Sequence, residues 1–369
     1  MKSLNSQNHH AYNFNAGPAA IPLPVLEKAQ REFINFQQSG MSVMELSHRS
    51  DLYETIHNKA IEKLRALFDI PNDYTVLFLQ GGASTQFATI PMNFLTADKK
   101  AGYVMTGSWA EKALKETVHF GSAYELASSQ AASYRHIPDF PAFENFQNDA
   151  YVHLTSNNTI YGTQWKTFPH TKNVPLIADM SSDIMSRQID VSQFDLIYAG
   201  AQKNLGPSGV TTVIVKNSFL NKNNRNIPTM FDYQTHADKN SLFNTPPTFS
   251  IYILSEVLQW IENEGGLDLI AKRNEQKAQL IYDAIDSSQG FYKGYADPLS
   301  RSLMNITFNL PTRELEQTFL KEAKDNGFVG LNGHRSIGGC RASCYNAVPL
   351  ETCKALRDFM KTFQAKHSN

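Results

Sequence analysis

The sequence has almost no net charge: 34 lysines and arginines stand against 35 aspartates and glutamates, which gives −1 at pH 7. A chain with this balance has no overall attraction to nucleic acid or to an anionic membrane, so we expect neither as a partner. It also has no apolar run of the ~18 residues that a membrane span requires, and its N-terminal MKSLNSQNHHAYNF lacks the apolar segment of a signal peptide. These absences predict a cytoplasmic protein with a disordered polar tail over residues 1–10.

Cysteine is scarce, and all three cysteines, Cys340, Cys344 and Cys353, lie near the C-terminus. Their spacing fits no common zinc pattern, and an odd number argues against a disulfide framework. We therefore expect reduced, partly buried thiols and no metal site.

Apolar segments that end in small or polar residues recur along the first two thirds of the chain. They are YTVLFL from residue 74, YVHLT from 151, VPLIAD from 174 and FDLIYAG from 194. Continuous apolar strands that alternate with helical patterns, such as that of residues 53–68, predict a mostly parallel sheet covered by helices. GVTTVIVK (209–216) indicates one more strand, and the asparagine-rich NSFLNKNNRN after it is typical of an exposed turn.

The pattern changes after Gly265 and Gly266. A long amphipathic helix is predicted over 267–287, and SLMNITFNL then alternates apolar and polar residues like a half-exposed strand. Further helices are predicted over 312–326 and 349–365. We expect an α/β protein with a large domain over residues 21–265 and a smaller α+β domain over 266–369, joined by the N-terminal segment 11–20.

Three of the predicted strand ends carry residues suited to a ligand, and open α/β sheets bind ligands at this edge. After the first strand, the segment GGAST (81–85) opens a helix whose free N–H groups and dipole can hold a phosphate. Asp179 ends another strand, where a carboxylate is costly unless it meets a cation or strong donor. Lys203 follows the next strand, and taken alone it would be interpreted as an exposed loop lysine.

Taken together, these three features match the requirements of pyridoxal phosphate. This cofactor needs an anion site for its phosphate, an acidic partner for its ring nitrogen and a lysine for its aldehyde. Because the three features coincide, a catalytic role for Lys203 is favoured over a surface position.

Long motifs of the sequence resemble the phosphoserine aminotransferases, a family in the class V branch of the fold-type I pyridoxal-phosphate enzymes. The motifs are NFNAGPAAIP, SVMELSHRS, YAGAQKNLGPSGVT, FNTPPTFSIY and GHRSIGGCRASCYNA. The resemblance covers nearly the whole chain. It implies reversible transamination between L-glutamate and 3-phosphohydroxypyruvate, which gives O-phospho-L-serine and 2-oxoglutarate in L-serine biosynthesis. In bacteria such enzymes often also serve pyridoxine biosynthesis. The resemblance further implies a homodimer with active sites at the subunit interface.

The resemblance also assigns the cofactor contacts position by position. Lys203 matches the Schiff-base lysine and Asp179 the partner of the ring nitrogen, so these two are the predicted catalytic residues. The other predicted cofactor contacts are Ala83, Ser84, Trp109, Thr159, Gln202, Asn244 and Thr245. The last two are expected to reach the cofactor of the partner subunit. Without the resemblance, Trp109 would read as an ordinary core residue.

A phosphorylated amino acid requires cations at both ends, and arginine binds carboxylate or phosphate through two parallel hydrogen bonds. The resemblance implies that Arg341 binds the α-carboxylate. It assigns the distal anion to His48, Arg49, His334 and Arg335. Two positions depart from some relatives: Ala16 replaces a serine that helps to bind glutamate, and Ser84 replaces an arginine.

Three other functions are alternatives to this interpretation. A class V cysteine desulfurase would need a nucleophilic cysteine, for which Cys340 is the one arguable candidate. A dehydrogenase would use GGASTQ as a phosphate loop, although the G-x-G-x-x-G spacing is absent. A non-catalytic binding protein would not require a lysine next to Asp179.

Overall fold

The computed structural model describes residues 11–223 and 226–368, so the tail predicted over 1–10 lies outside the described residues. The helices are α1 (Leu23–Glu32), α2 (Asp51–Leu67), α3 (Gly82–Phe94), α4 (Ser108–Thr117), α5 (Asn217–Leu220), α6 (Tyr233–Ala237), α7 (Thr248–Asn263), α8 (Gly266–Asp286), α9 (Arg313–Asp325) and α10 (Leu350–His367). The strands are β1 (Tyr12–Asn13), β2 (Tyr74–Leu79), β3 (Lys100–Met105), β4 (Ser122–Ser128), β5 (Tyr151–Thr155), β6 (Asn157–Asn158), β7 (Thr163–Gln164), β8 (Leu176–Asp179), β9 (Leu196–Gly200), β10 (Thr211–Lys216), β11 (Lys293–Gly294), β12 (Asn305–Asn309), β13 (Phe328–Val329) and β14 (Cys340–Ser343).

A seven-stranded sheet forms the centre of the molecule, with the order β2-β10-β9-β8-β5-β3-β4. β10 runs antiparallel to both of its neighbours, and the other pairs are parallel. Successive residues of one strand pack on opposite faces, as Phe78 and Leu77 do, and both faces are buried. A sheet buried on both sides explains the continuous apolar strands and confirms the predicted α/β class.

The C-terminal part of the chain contains a three-stranded sheet, β11-β12-β14, and helices α8, α9 and α10. Its own apolar cluster includes Ile306, Phe319 and Leu356. The N-terminal strand β1 pairs in parallel with β13, so the N-terminal segment contacts the C-terminal part of the chain. The division at residue 266 stays a prediction.

Two sequence interpretations need correction. NSFL (217–220) is a short helix, not an exposed turn, because Phe219 and Leu220 are buried against Phe94 and its neighbours. The thiols are free, as expected, but all three are fully buried rather than partly buried. Within residues 11–223 and 226–368, no helix has the length and apolarity to cross a membrane.

Candidate active site

Asp179 and Lys203 meet because two parallel strands end side by side. β8 and β9 are neighbours, and their register places Asp179 opposite Tyr198. Lys203 lies in the turn that follows β9, three residues beyond Gly200. Both side chains line one cavity of about 300 Å³ at the carboxyl edge of the sheet. The expectation that strand ends bring these two residues together is thus met by the described geometry.

The Asp179 carboxylate is held by a residue that the sequence reasoning missed. The Ser181 backbone N–H and hydroxyl donate to Asp179 Oδ1 at 2.9 and 2.6 Å. Burial raises the pKa of Asp179, while the Ser181 hydroxyl and the Lys203 ammonium act to lower it. The signal was present in the sequence, since a serine two residues after an aspartate is a common side-chain turn.

Lys203 lies in the same cavity with its stem against the backbone of Gly17. Gly17 has φ +138°, and a Cβ there would lie 3.4 Å from Lys203 Cγ and 3.5 Å from Cε. Glycine therefore lets the N-terminal segment close over the lysine. Burial lowers the pKa of Lys203, and Asp179 raises it in part. The shift increases the fraction of neutral amine, which is the nucleophilic form.

The N-terminus of α3 forms another wall, lined by Gly82, Ala83 and Ser84. Gly81 precedes the helix with φ 90°, and no side chain caps the first turn. A Cβ on Gly81 would overlap the Thr85 side chain, so the position just before the helix requires glycine. The first N–H groups of the helix have no partner within it, and the residues that carry them line the cavity, so this wall is suited to an anion.

Thr159 links an aromatic ring and a cation on the remaining wall. Trp109 Nε1 donates to Thr159 Oγ1 at 3.1 Å, and Arg341 Nη1 donates to the Thr159 carbonyl at 2.9 Å. Arg341 Nε is buried and has no hydrogen-bond partner among the described residues. One N–H donor, on Nη1, therefore fixes the guanidinium, and other N–H donors stay available for an anionic ligand.

Most predicted site residues line this cavity, but five do not. Those in the cavity are Ala83, Ser84, Trp109, Thr159, Asp179, Gln202, Lys203, His334 and Arg341. The sequence reasoning missed several further lining residues, which are Gly17, Phe87, Thr155, Asn157, Ile160, Ser181 and Ser182. Apart from Gly17 and Phe87, these lie at or just after strand ends, and except for Ser181 their polar or apolar character alone gives no signal of a site.

The five residues outside the cavity fall in three places. His48 and Arg49 form the turn before α2, and Arg49 is exposed. Thr245 is also exposed, while Asn244 borders a neighbouring apolar cavity next to Gly81 and Thr85. Arg335 is exposed and borders a separate polar cavity, which shares His334 with the main one.

The chemistry of the cavity can be compared with the group that the sequence predicts. An uncapped helix N-terminus suits a phosphate, a buried carboxylate suits a protonated ring nitrogen, and Lys203 suits an aldehyde. The unpartnered Nε of Arg341 suits a substrate carboxylate. The residues present therefore fit pyridoxal phosphate together with an amino acid.

Comparison with known proteins decides the family. The family described as aminotransferase class-V matches residues 11–356. The chain belongs to the class-V aminotransferases. Within the class-V aminotransferases, it is 64% identical to a phosphoserine aminotransferase of Lysinibacillus sphaericus over 97% of this chain and 99% of the relative. The structure is similar to that of phosphoserine aminotransferase from Bacillus circulans subsp. alkalophilus, with a TM-score of 0.95 and 57% identity over 97% of this chain and 99% of that one.

A more distant solved structure is the pyridoxal-phosphate-bound phosphoserine aminotransferase of Trichomonas vaginalis. It has a TM-score of 0.89 and 37% identity, covering 95% of this chain and all (100%) of that one. The alternative of a cysteine desulfurase loses its candidate nucleophile, because Cys340 is buried in β14 and burial raises its pKa. The dehydrogenase and binding-protein alternatives are inconsistent with class-V aminotransferase membership.

Proposed function

We propose that this chain is a phosphoserine aminotransferase whose active site is the cavity between Lys203, Asp179 and Arg341. The observation that carries the proposal is the meeting of the Lys203 amine and the Asp179 carboxylate at adjacent strand ends, inside one cavity. The enzyme transfers the amino group of L-glutamate to 3-phosphohydroxypyruvate and gives O-phospho-L-serine and 2-oxoglutarate. It serves L-serine biosynthesis.

The cofactor is pyridoxal phosphate, which supplies an aldehyde that condenses with amines and a ring that takes up electrons. Lys203 would hold the cofactor aldehyde through Nζ, and when not so engaged Nζ would move the proton that leaves the substrate Cα. Because burial lowers the pKa of Lys203, a larger fraction of this amine is neutral at neutral pH, and so free to take up a proton, than of an exposed lysine.

The other cavity residues bind and orient. Asp179 keeps a negative charge next to the ring nitrogen, with one oxygen fixed by Ser181. The N-terminus of α3, with Ala83 and Ser84, would bind the cofactor phosphate, and Gln202, which lines the same cavity, would contribute. The Trp109 ring, oriented by Thr159, would stack on the ring of the cofactor.

Two groups of cations divide the substrate between them. Arg341 binds the α-carboxylate, which both amino acids share, and its orientation is set by Thr159. We assign the distal group, a phosphate in one substrate and a carboxylate in the other, to His334, which lines the cavity, and to Arg335, which borders the adjoining polar cavity. The same two side chains accept both because each distal group is anionic.

We also propose that the enzyme works as a homodimer with shared sites. Asn244 and Thr245 lie outside the cavity of their own chain, as do His48 and Arg49. A second copy would bring Asn244 and Thr245 to the cofactor phosphate and the other pair to the distal anion. We place the enzyme in the cytoplasm, a reducing compartment, in agreement with its free cysteines. A further role in pyridoxine biosynthesis stays a prediction.

Replacing Lys203 by alanine tests the mechanism. The Lys203→Ala variant is expected to fold normally, to lose the visible absorbance of the lysine-bound cofactor and to lose transamination by orders of magnitude. The matched control is Lys99→Ala, which removes an exposed lysine outside the cavity and should behave like the wild type. Normal turnover by Lys203→Ala would refute the assignment.

Hybrid dimers test the shared site. Lys203→Ala chains and Asn244→Ala/Thr245→Ala chains should each be inactive, and mixtures should regain part of the activity through hybrid dimers with one intact site. Absence of recovery after demonstrated subunit exchange would contradict the sharing of residues between subunits.

A further inference from the structure

Tyr345 lies behind the cavity and bonds to the N-terminal segment. It follows β14, a short way after Arg341 in the chain, and its side chain is fully buried. The Tyr345 hydroxyl donates to the Ala16 carbonyl at 2.8 Å, although the two residues are 329 positions apart in the sequence. Ala16 and Gly17 line the cavity, whereas Tyr345 does not, and the proposed mechanism does not use Tyr345. A buried side chain outside the cavity therefore holds one of the cavity walls.

The direction of this hydrogen bond is fixed by the groups around it. A carbonyl oxygen can only accept, so the single hydroxyl proton of Tyr345 points to Ala16. Asn305 Nδ2 donates to the same hydroxyl at 3.1 Å, and Asn305 Oδ1 accepts from Asn157 Nδ2 at 2.8 Å. Burial raises the pKa of Tyr345, so the hydroxyl keeps its proton. Asn305 therefore directs the tyrosine proton away from itself and towards Ala16.

The segment that Tyr345 holds lies against the stem of Lys203. A Cβ at Gly17 would be 3.4 Å from Lys203 Cγ and 3.5 Å from Cε, so the Gly17 backbone flanks both the middle and the end of the stem. The Ala19 N–H donates to the Gln202 carbonyl at 2.9 Å, which joins the segment to the residue before Lys203. Tyr345 and Gln202 thus hold the segment on either side of Gly17. A shift of the segment would leave room for other rotamers of Lys203 and would move Nζ.

We infer that Tyr345 is a positioning residue that holds Ala16 and Gly17 against Lys203 and so keeps Nζ in place for proton transfer, an inference that rests on the proposed function. Tyr345 acts through the backbone of the N-terminal segment and not on the substrate. Without the hydroxyl, the Ala16 carbonyl loses this donor and the segment is free to move until the carbonyl finds another. A displacement of about 1 Å at a reacting group is enough to cost about 100-fold in rate.

The half-reaction of the holoenzyme with L-glutamate tests the inference. A single turnover is followed by the loss of the visible absorbance of the lysine-bound cofactor. In Tyr345→Phe we expect the rate constant at saturating glutamate to fall about tenfold, because one buried hydrogen bond is lost. The glutamate concentration that gives half-saturation should change less than about twofold, because Arg341 keeps its bond to the Thr159 carbonyl. Deuterium at Cα of glutamate should slow the variant at least as much as the wild type, because removal of this proton is then the slow step.

Tyr292→Phe is the matched control. The Tyr292 hydroxyl is also buried and donates to a backbone carbonyl, that of Met360, at 2.8 Å, but Tyr292 packs in the apolar cluster of the C-terminal part and does not line the cavity. Both variants should lower the melting temperature, because each removes one buried hydrogen bond. Tyr292→Phe should nevertheless keep the wild-type rate and isotope effect.

Two side chains of similar size test the donor itself at position 345. Replacement of Tyr345 by 4-aminophenylalanine keeps an N–H donor at the place of the hydroxyl and should restore most of the rate. Replacement by 4-fluorophenylalanine fills the same space without a donor and should not. This pair also tests the inference if Tyr345→Phe does not fold.

Four results would overturn the inference. They are a wild-type rate constant in Tyr345→Phe, an equal fall in Tyr292→Phe, equal rates with the amino and fluoro side chains, and an isotope effect in Tyr345→Phe smaller than that of the wild type. The last would place the loss in a step other than proton transfer. Failure of the wild-type holoenzyme to react with glutamate would instead refute the proposed function itself.

Discussion

The two arginines assigned to the substrate differ in burial, and this difference predicts different effects of removing them. Arg341 is partly buried, lines the cavity and is fixed by the Thr159 carbonyl at 2.9 Å. Arg335 is exposed and lies outside this cavity, and its side chain has no hydrogen bond to orient it among those found in the described chain. Truncation should therefore be severe at Arg341 and mild at Arg335.

The magnitudes follow from these environments. Removing one member of a desolvated charged pair costs about 2–5 kcal/mol, so Arg341→Ala should lower kcat/KM roughly 30- to 5,000-fold. Glutamate and phosphoserine present the same α-carboxylate, so both should lose equally. An exposed ion pair contributes at most about 1 kcal/mol, or roughly fivefold, which limits the loss in Arg335→Ala. Phosphoserine should lie at the upper end of that range, because its phosphate carries close to two negative charges.

The assay is kcat/KM for each amino acid, read as a change in transition-state free energy. Arg341→Lys is the matched control: it keeps the charge but loses the paired hydrogen bonds, and should fall between wild type and Arg341→Ala. The assignment is wrong if Arg341→Ala affects one substrate far more than the other. It is also wrong if Arg335→Ala weakens glutamate more than phosphoserine, or if plain serine replaces phosphoserine without loss.

Two other substitutions test the cavity walls. Ser181→Ala removes a 2.6 Å hydrogen bond to Asp179, so the pKa of this carboxyl should rise further. Cofactor affinity depends on the ionised form, and its decline at acid pH should begin at a higher pH, as measured by titration with pyridoxal phosphate; an unmoved pH profile would contradict this. Gly17→Ala places a Cβ against Lys203 at φ +138° and should cost about 1–3 kcal/mol of stability and slow cofactor attachment. Gly40→Ala, at φ +76° with no atom within 4 Å of the added Cβ, should lower the melting temperature without affecting the attachment rate.

Much of the site follows from rules that act over short stretches of sequence. An apolar strand that ends in Asp179, and another that leads to Lys203, predict neighbouring side chains because parallel strands end at a common edge. The helix that begins after Gly81 can be predicted from its local sequence in the same way. These features depend on local patterns and on the topology of parallel sheets, both of which the sequence carries.

The remaining features depend on contacts between distant segments. β10 enters the sheet between β2 and β9, antiparallel to both, and its apolar sequence carries no mark of direction. Gly17 packs against Lys203 although the two residues lie far apart in the sequence. Trp109 and Thr159 likewise meet only in the folded protein, and Trp109 by itself is indistinguishable from a core residue. Without the family resemblance, no local rule would have selected them.

The site places two ionisable groups where burial opposes the charge of each. Burial raises the pKa of Asp179 and lowers that of Lys203, and their mutual attraction offsets these effects only in part. Ser181 compensates on the Asp179 side by donating two hydrogen bonds, from its backbone N–H and its hydroxyl. On the Lys203 side no such compensation is desirable, because the neutral amine is the reactive form. The structure thus stabilises the negative charge of Asp179, which must persist, and leaves the positive charge of Lys203 unstable, because the amine must become neutral to react. One cavity can therefore hold a fixed carboxylate next to a reactive amine.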